Sequence, residues 1–402
     1  MRAHVGISIA LPLLSLLACG TAAETAPPPA APAPVVTEQP VAVAPAPAPA
    51  PALSDQEQKK LDDQKKLAQE FAELEKAQPA ELVRLTSEVR AASRSLAERS
   101  YPNARAALTA ALAGPQRVPK NVERDAQRHP LATLEFFGFK PNQSVLEIGP
   151  GEGWYTELLA PALAKNGKLY VTSGDANGSR EQRSTLYALR TKLFLEKLPE
   201  AYGKVETVVV DAKQPKLPFD AKLDLVLLFR GVHGMVNNQL LGTWLGEIHH
   251  ALKPNGVLAI EQHRAAPGAN PELSSKKGYI PEAWLIEQVQ SAGFKLAAKS
   301  EINANPKDTK DYPEGVWSLP PTLREGEASR DKYLAIGESD RMTLKFVKVA
   351  EPKPKAEPTA KSAAPGAPTA KAAPPPSAPP PAAKAAPTAP AAPAAPAAKT
   401  TP

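Results

Sequence analysis

The chain has one cysteine, Cys19, in 402 residues. A lone thiol excludes an intrachain disulfide framework, so an oxidising compartment would add no staple. No Gly-Lys-Ser/Thr follows a glycine turn, which excludes a P-loop. No serine-centred elbow points to a hydrolase. No cluster of His, Asp or Glu has metal-ligand spacing, so no metal is expected. Aromatic residues make up only 5%, and none interleave with a basic stripe, so no nucleic-acid partner is expected. The net charge of +6 does not contradict this. Lys353, Lys355, Lys361, Lys371, Lys384 and Lys399 supply most of the excess, spaced along the last segment rather than gathered in a patch.

Long apolar runs are also scarce. The longest, from about Val5 to Leu17, follows Arg2 and leads into Leu-Leu-Ala-Cys, residues 16 to 19. A mature membrane-spanning helix needs roughly 20 apolar residues, so this pattern reads as a secretory signal over 1–18. The last four residues of the pattern resemble the lipobox of bacterial lipoproteins. That resemblance implies cleavage before Cys19, a lipid on Cys19, and anchorage in the cell envelope on the periplasm-facing side, at the outer membrane. Residues 19–53 and 351–402 are rich in Ala and Pro. Proline fixes φ and removes a donor, so both are expected to be extended and disordered: a tether and a tail.

Residues 54–117 are helical in pattern. Leu61, Leu67, Phe71 and Leu74 share a face, and Leu82, Leu85, Val89, Ala92 and Leu96 recur at gaps of three and four. Pro79 predicts a break into two helices. The pattern fits a hairpin packed on its neighbours; a short dimeric coiled coil is the alternative.

From 118 to 350 short apolar runs alternate with amphipathic helices. SVLEIG, KLYVTS, VETVVVD, LDLVLLF and GVLAIEQ read as strands, followed by FKLAAKSEI and MTLKFVKV. Helices are expected over 154–165, 180–198, 237–252 and 282–292. The alternation predicts a doubly wound, Rossmann-like α/β sheet.

The first strand runs into Glu147-Ile-Gly149-Pro-Gly151-Glu-Gly153-Trp154. A dinucleotide fingerprint needs a small residue at position 154, and an indole there blocks close helix–strand packing. What remains, E-x-G-x-G-x-G, is similar to the first motif of class I S-adenosylmethionine-dependent methyltransferases. The resemblance implies a seven-stranded sheet whose last strand is antiparallel, and S-adenosylmethionine as cofactor. It assigns cofactor binding to Glu147, Gly149, Gly151 and Gly153, with Glu147 near the ammonium. The family's ribose-binding acid would fall at Ser173; Asp175, two residues on, is the substitute. Asp211 matches the acid near the adenine amine. Lys253-Pro254-Asn255-Gly256 resembles the family's turn before strand five. The sequence looks closest to a group of predicted, often exported methyltransferases. They share R-D-x-x-R-H-P, here Arg124, Asp125, Arg128, His129 and Pro130, and G-W-Y-T-E-x-L-A-P, here Gly153 to Pro161.

Ligands in such sheets bind beyond the carboxyl ends of the strands. Arg230 and His233 follow strand four there; His233 is expected as the base and Arg230 as a brace or a hold on an acidic acceptor. His263 and Arg264 follow strand five. The segment 303–341 is long enough to cover the site. The expected activity is methyl transfer to an unknown acceptor. The alternative is a non-catalytic envelope lipoprotein that uses the fold to bind a ligand or partner.

Overall fold

The computed structural model describes residues 54–211 and 213–349. Cys19, the signal, the tether and the tail lie outside the described residues. The chain divides into two units, 1–63 and 64–402. In the first, Ser54 and Glu57 form a reciprocal cap: Ser54 Oγ accepts from the Glu57 N–H at 3.3 Å, and the Glu57 carboxylate accepts from the Ser54 N–H at 2.9 Å. This cap opens helix α1 (Asp55–Arg84).

Proline did not break that helix where expected, since Pro79 lies inside α1. A proline in a helix interior costs about 3 kcal/mol. Anchors on both sides of it hold the helix through the lost bond. Before it, Leu67 and Phe71 are buried against Leu186, and Glu75 accepts from Arg180. After it, Glu81 accepts from Lys197 at 2.8 Å. The chain turns at Leu85 instead, and Thr86 caps α2 (Ser87–Glu98). Of the expected seam, Leu82 and Ala92 are exposed, while Leu85 and Leu96 join the core of the sheet domain. Leu85 and Leu96 thus tie this segment to the sheet domain.

Among the described residues seven strands form one sheet: β1 (Ser144–Ile148), β2 (Lys168–Ser173), β3 (Glu206–Val209), β4 (Leu223–Phe229), β5 (Leu252–His263), β6 (Phe294–Ser300) and β7 (Arg341–Lys348). Their order is 3-2-1-4-5-7-6, with β7 antiparallel to both neighbours and the other pairs parallel. The apolar runs follow from burial on both faces. Leu146, Val226, Leu228, Leu258 and Ile260 point to one core; Val145, Leu225, Leu227 and Ala259 point to the other.

Two local expectations shift. The helix expected over 237–252 is two, Val232–Asn237 and Leu241–Ala251. The expected turn at Lys253–Gly256 falls inside β5, opposite a shift of register between Leu223 and Leu225, with Asn255 at φ 63°. Lys253 holds that irregularity by donating to Asp224 at 2.7 Å.

Candidate functional site

The strand order reverses between β1 and β4: β2 and β3 lie on one side of β1, and β4, β5, β7 and β6 on the other. The crevice beyond the carboxyl ends of β1 and β4 is therefore the topological switch point, where ligands bind in open α/β sheets. It receives the glycine loop from β1 and Arg230 from β4.

The three loop glycines all take left-handed φ angles, 63° at Gly149, 60° at Gly151 and 79° at Gly153. They need glycine for two different reasons. A Cβ on Gly149 or Gly151 would meet nothing within 4 Å, so this side of the loop borders open space. A Cβ on Gly153 would lie 2.6 Å from the Phe194 ring, so here the missing side chain admits the helix Arg183–Glu196. The loop is fixed from beside by the Gly149 N–H, which donates to Thr172 Oγ1 at 2.9 Å.

Glu147 is buried, and Thr156 Oγ1 donates to its Oε2 at 2.7 Å. Burial raises its pKa from 4.5 to about 7, against the opposing effects of the Thr156 bond and the Arg230 charge. A buried carboxyl two residues ahead of an open cradle, with no cation bonded to it among the described residues, is a partner for an ammonium group. The residues present thus fit the amino-acid end of S-adenosylmethionine.

Behind the loop lies a polar clamp. Trp154 Nε1 donates to the Asn121 carbonyl at 2.8 Å, and the Arg128 guanidinium sits 4.7 Å from the indole centre. Arg117 is buried and bonds both Glu157, at 2.7 Å, and Asp125. Arg124 and Arg128 donate to Glu338, which also pairs with Arg341. Burial works against the Glu338 carboxylate, but Arg341, Arg124 and Arg230 outweigh it and hold its pKa below the ordinary value. Tyr155 stacks on Phe229 at 3.9 Å and donates to Glu261 at 3.0 Å.

Arg230 leaves β4 at φ 53°, a strained angle for a side-chain-bearing residue, held by its N–H to the Glu261 carbonyl at 2.7 Å. Its Nη1 is buried without a hydrogen-bond partner, 3.9 Å from Glu261 Oε1. The His233 ring lies 6.0 Å from that of His263 and 5.8 Å from that of Trp317. Burial lowers the His233 pKa from 6.5 to about 4, the nearby Arg230 charge adding to it against the Gln262 bond. Burial also holds His263 well below 6.5, with His233, Arg230 and Arg341 adding to it. Both rings are therefore neutral at physiological pH. Trp317 belongs to the long segment before β7, so the ring of that segment does meet the site.

Glu147, Gly149, Gly151, Arg230 and His233 are thus gathered at the switch point. Asp175 and Asp211 lie beyond the ends of β2 and β3. Both follow their strands, are exposed, and spend an oxygen on the backbone N–H two residues on, Asn177 at 2.8 Å and Lys213 at 2.7 Å. Ser173 and Asp175 line a cavity of about 430 Å³ with Tyr202 and Val209. Sequence reasoning passed over Glu261, Glu338, Arg341 and Trp317. The one signal available was Glu261 itself, a charge inside the apolar run of β5.

Residues 146–260 match the family model described as a methyltransferase domain. No curated protein matches the chain. Among solved structures it is similar to a SAM-dependent methyltransferase from Aquifex aeolicus, at 18% identity over 56% of this chain and 93% of that one, with a TM-score of 0.38. It is also similar to the 1,6-didemethyltoxoflavin-N1-methyltransferase of Burkholderia thailandensis, at 17% identity over 56% and 78%, with a TM-score of 0.33. The fold is the seven-stranded, doubly wound α/β sheet with its last strand antiparallel that the sequence led us to expect.

Proposed function

We propose that this chain is an S-adenosylmethionine-dependent methyltransferase, anchored to the cell envelope by a lipid on Cys19, that methylates an acceptor still to be found. The open cradle at Gly149 and Gly151 beside the buried Glu147 carboxyl carries the reading. The methyltransferase-domain match over 146–260 supports it. In this reading Glu147 receives the cofactor's ammonium, Gly149 and Gly151 admit its backbone-hugging part, and Asp175 and Asp211 meet its ribose and adenine. The bound cofactor supplies a methyl group on a positively charged sulfur, already a good leaving group. The protein then has to position the acceptor and take its proton. Arg230, with a buried donor to spare, orients the acceptor; the two neutral imidazoles provide the proton-handling groups.

Titration calorimetry of the full chain with S-adenosylmethionine tests this. Micromolar binding is expected, and its loss in Gly151→Val. A silent wild type at concentrations far above that range would remove the cofactor. A second reading, non-catalytic ligand binding by an envelope lipoprotein, draws on Ser173 standing where the ribose-binding acid would be, with Asp175 exposed. It predicts binding without conversion to S-adenosylhomocysteine in the presence of envelope extracts.

A further inference from the structure

The two imidazoles at the switch point are wired differently through Nδ1. Gln262 is fully buried, and its amide orientation is set from two sides. The Val232 N–H donates to Oε1 at 3.2 Å, and Nε2 donates to the Gly278 carbonyl at 2.9 Å. The remaining Nε2 hydrogen is left for His233 Nδ1, 3.4 Å away. His233 Nδ1 therefore accepts, and the proton of the neutral ring sits on Nε2. Such a ring presents a donor to the site and has no free nitrogen with which to take a proton. His263 Nδ1 meets Ser339 Oγ instead, a group able to accept as well as donate. Among the described residues neither Nε2 has a hydrogen-bond partner, and neither is among the sealed, unpartnered atoms.

Resting on the methyl-transfer reading, we propose that His263 takes the acceptor's proton on Nε2, its Nδ1–H donating to Ser339, while His233 serves as a hydrogen-bond donor to the acceptor. The base expected at His233 thus moves to the end of β5. The proton that an acceptor hydroxyl loses goes to His263 Nε2. The oxygen keeps the O–H pair and forms with it the bond to the methyl carbon, whose bond to sulfur breaks with its pair on sulfur. His263 faces Ser339, His233, Arg230, Arg341, Glu338 and Tyr279; burial and the nearby cations outweigh Glu338, so the ring rests neutral and one of its nitrogens is bare.

The test needs neither acceptor nor cofactor. Nitrogen NMR of the full chain with labelled histidine, assigned with His233→Gln and His263→Gln, reports which ring nitrogen is bare. At neutral pH the expected result is a proton on Nε2 of His233 and on Nδ1 of His263. Diethyl pyrocarbonate attacks bare imidazole nitrogens, so mass spectrometry should find His263 modified before His233, whose bare Nδ1 is covered by Gln262. Ser339→Ala removes the acceptor of the Nδ1 proton and should shift the His263 proton to Nε2 in the same spectra. A wild-type His263 protonated on Nε2, or His233 modified first, overturns the assignment. Calorimetry with S-adenosylmethionine separates the two claims, because lost binding would sink the function and leave these tautomers standing.

Discussion

Replacing Glu147 by glutamine should stabilise the protein and impair its ligand binding, and both effects can be worked out from one buried carboxyl. Glu147 is 3% exposed, and its pKa stands at about 7 against 4.5 in an open chain. Between those values the folded protein holds a proton that the unfolded chain has released. Stability therefore falls as pH rises through this window, by about 1.4 kcal/mol per pH unit, or on the order of 3 kcal/mol in all. Glutamine keeps the shape and can still accept from Thr156. Glu147→Gln should thus exceed wild type by about 3 kcal/mol at about pH 8 and match it at about pH 4. His233 slopes the other way: its pKa falls from 6.5 to about 4, so its contribution is complete above 6.5 and fades towards 4. The two slopes oppose each other in wild type, which makes the difference between variant and wild type the informative quantity. Urea denaturation gives it as a midpoint shift at unchanged slope. A variant no more stable at high pH, or equally shifted at both, refutes the buried-carboxyl argument. The functional half follows from the same proton. Binding an ammonium beside Glu147 must expel it below about pH 7, so the binding heat should depend on the buffer at about pH 6 and not at about pH 8.

Gly153→Ala should cost roughly 2–4 kcal/mol, because its Cβ meets the Phe194 ring at 2.6 Å on top of the strained φ, and thermal melting would show it. Gly151→Ala carries the φ cost alone, about 1 kcal/mol, yet it places a methyl in the cradle and should weaken S-adenosylmethionine in calorimetry. Equal losses of stability in the two variants would contradict the separate roles of these glycines. Glu338→Ala leaves Arg124, Arg128 and Arg341 without their shared carboxylate, and should lower unfolding stability in urea by about 3–5 kcal/mol.

The parts of this molecule legible in its sequence are those where one residue's burial suffices. Strands buried on both faces read as apolar runs, and Trp154 after the third glycine weighs against the dinucleotide fingerprint. Pro79 failed as a marker because what keeps α1 intact is supplied by Leu186, Arg180 and Lys197, far along the chain. The same holds for the site. The two segments that look like separate motifs, Arg124 to Pro130 and Gly153 to Pro161, are the two halves of one clamp. Arg117 joins Asp125 to Glu157, and Arg128 joins Trp154 to Glu338. Arg341 carries the chain on to Glu261 and Tyr155. No spacing rule announces such contacts, since periodicity says which face is buried and not what lies across from it. The clamp also explains why the site is uneven. At the β1–β4 crevice the glycine loop is backed by buried ion pairs, and a buried Arg230 donor is left over. Past β2 and β3, Asp175 and Asp211 sit in exposed turns closed by local bonds. Ordered, water-poor geometry is where positioning and proton transfer gain most. On the function proposed above, chemistry belongs between Glu147, Arg230, His233 and His263, and the exposed acids add grip on the cofactor.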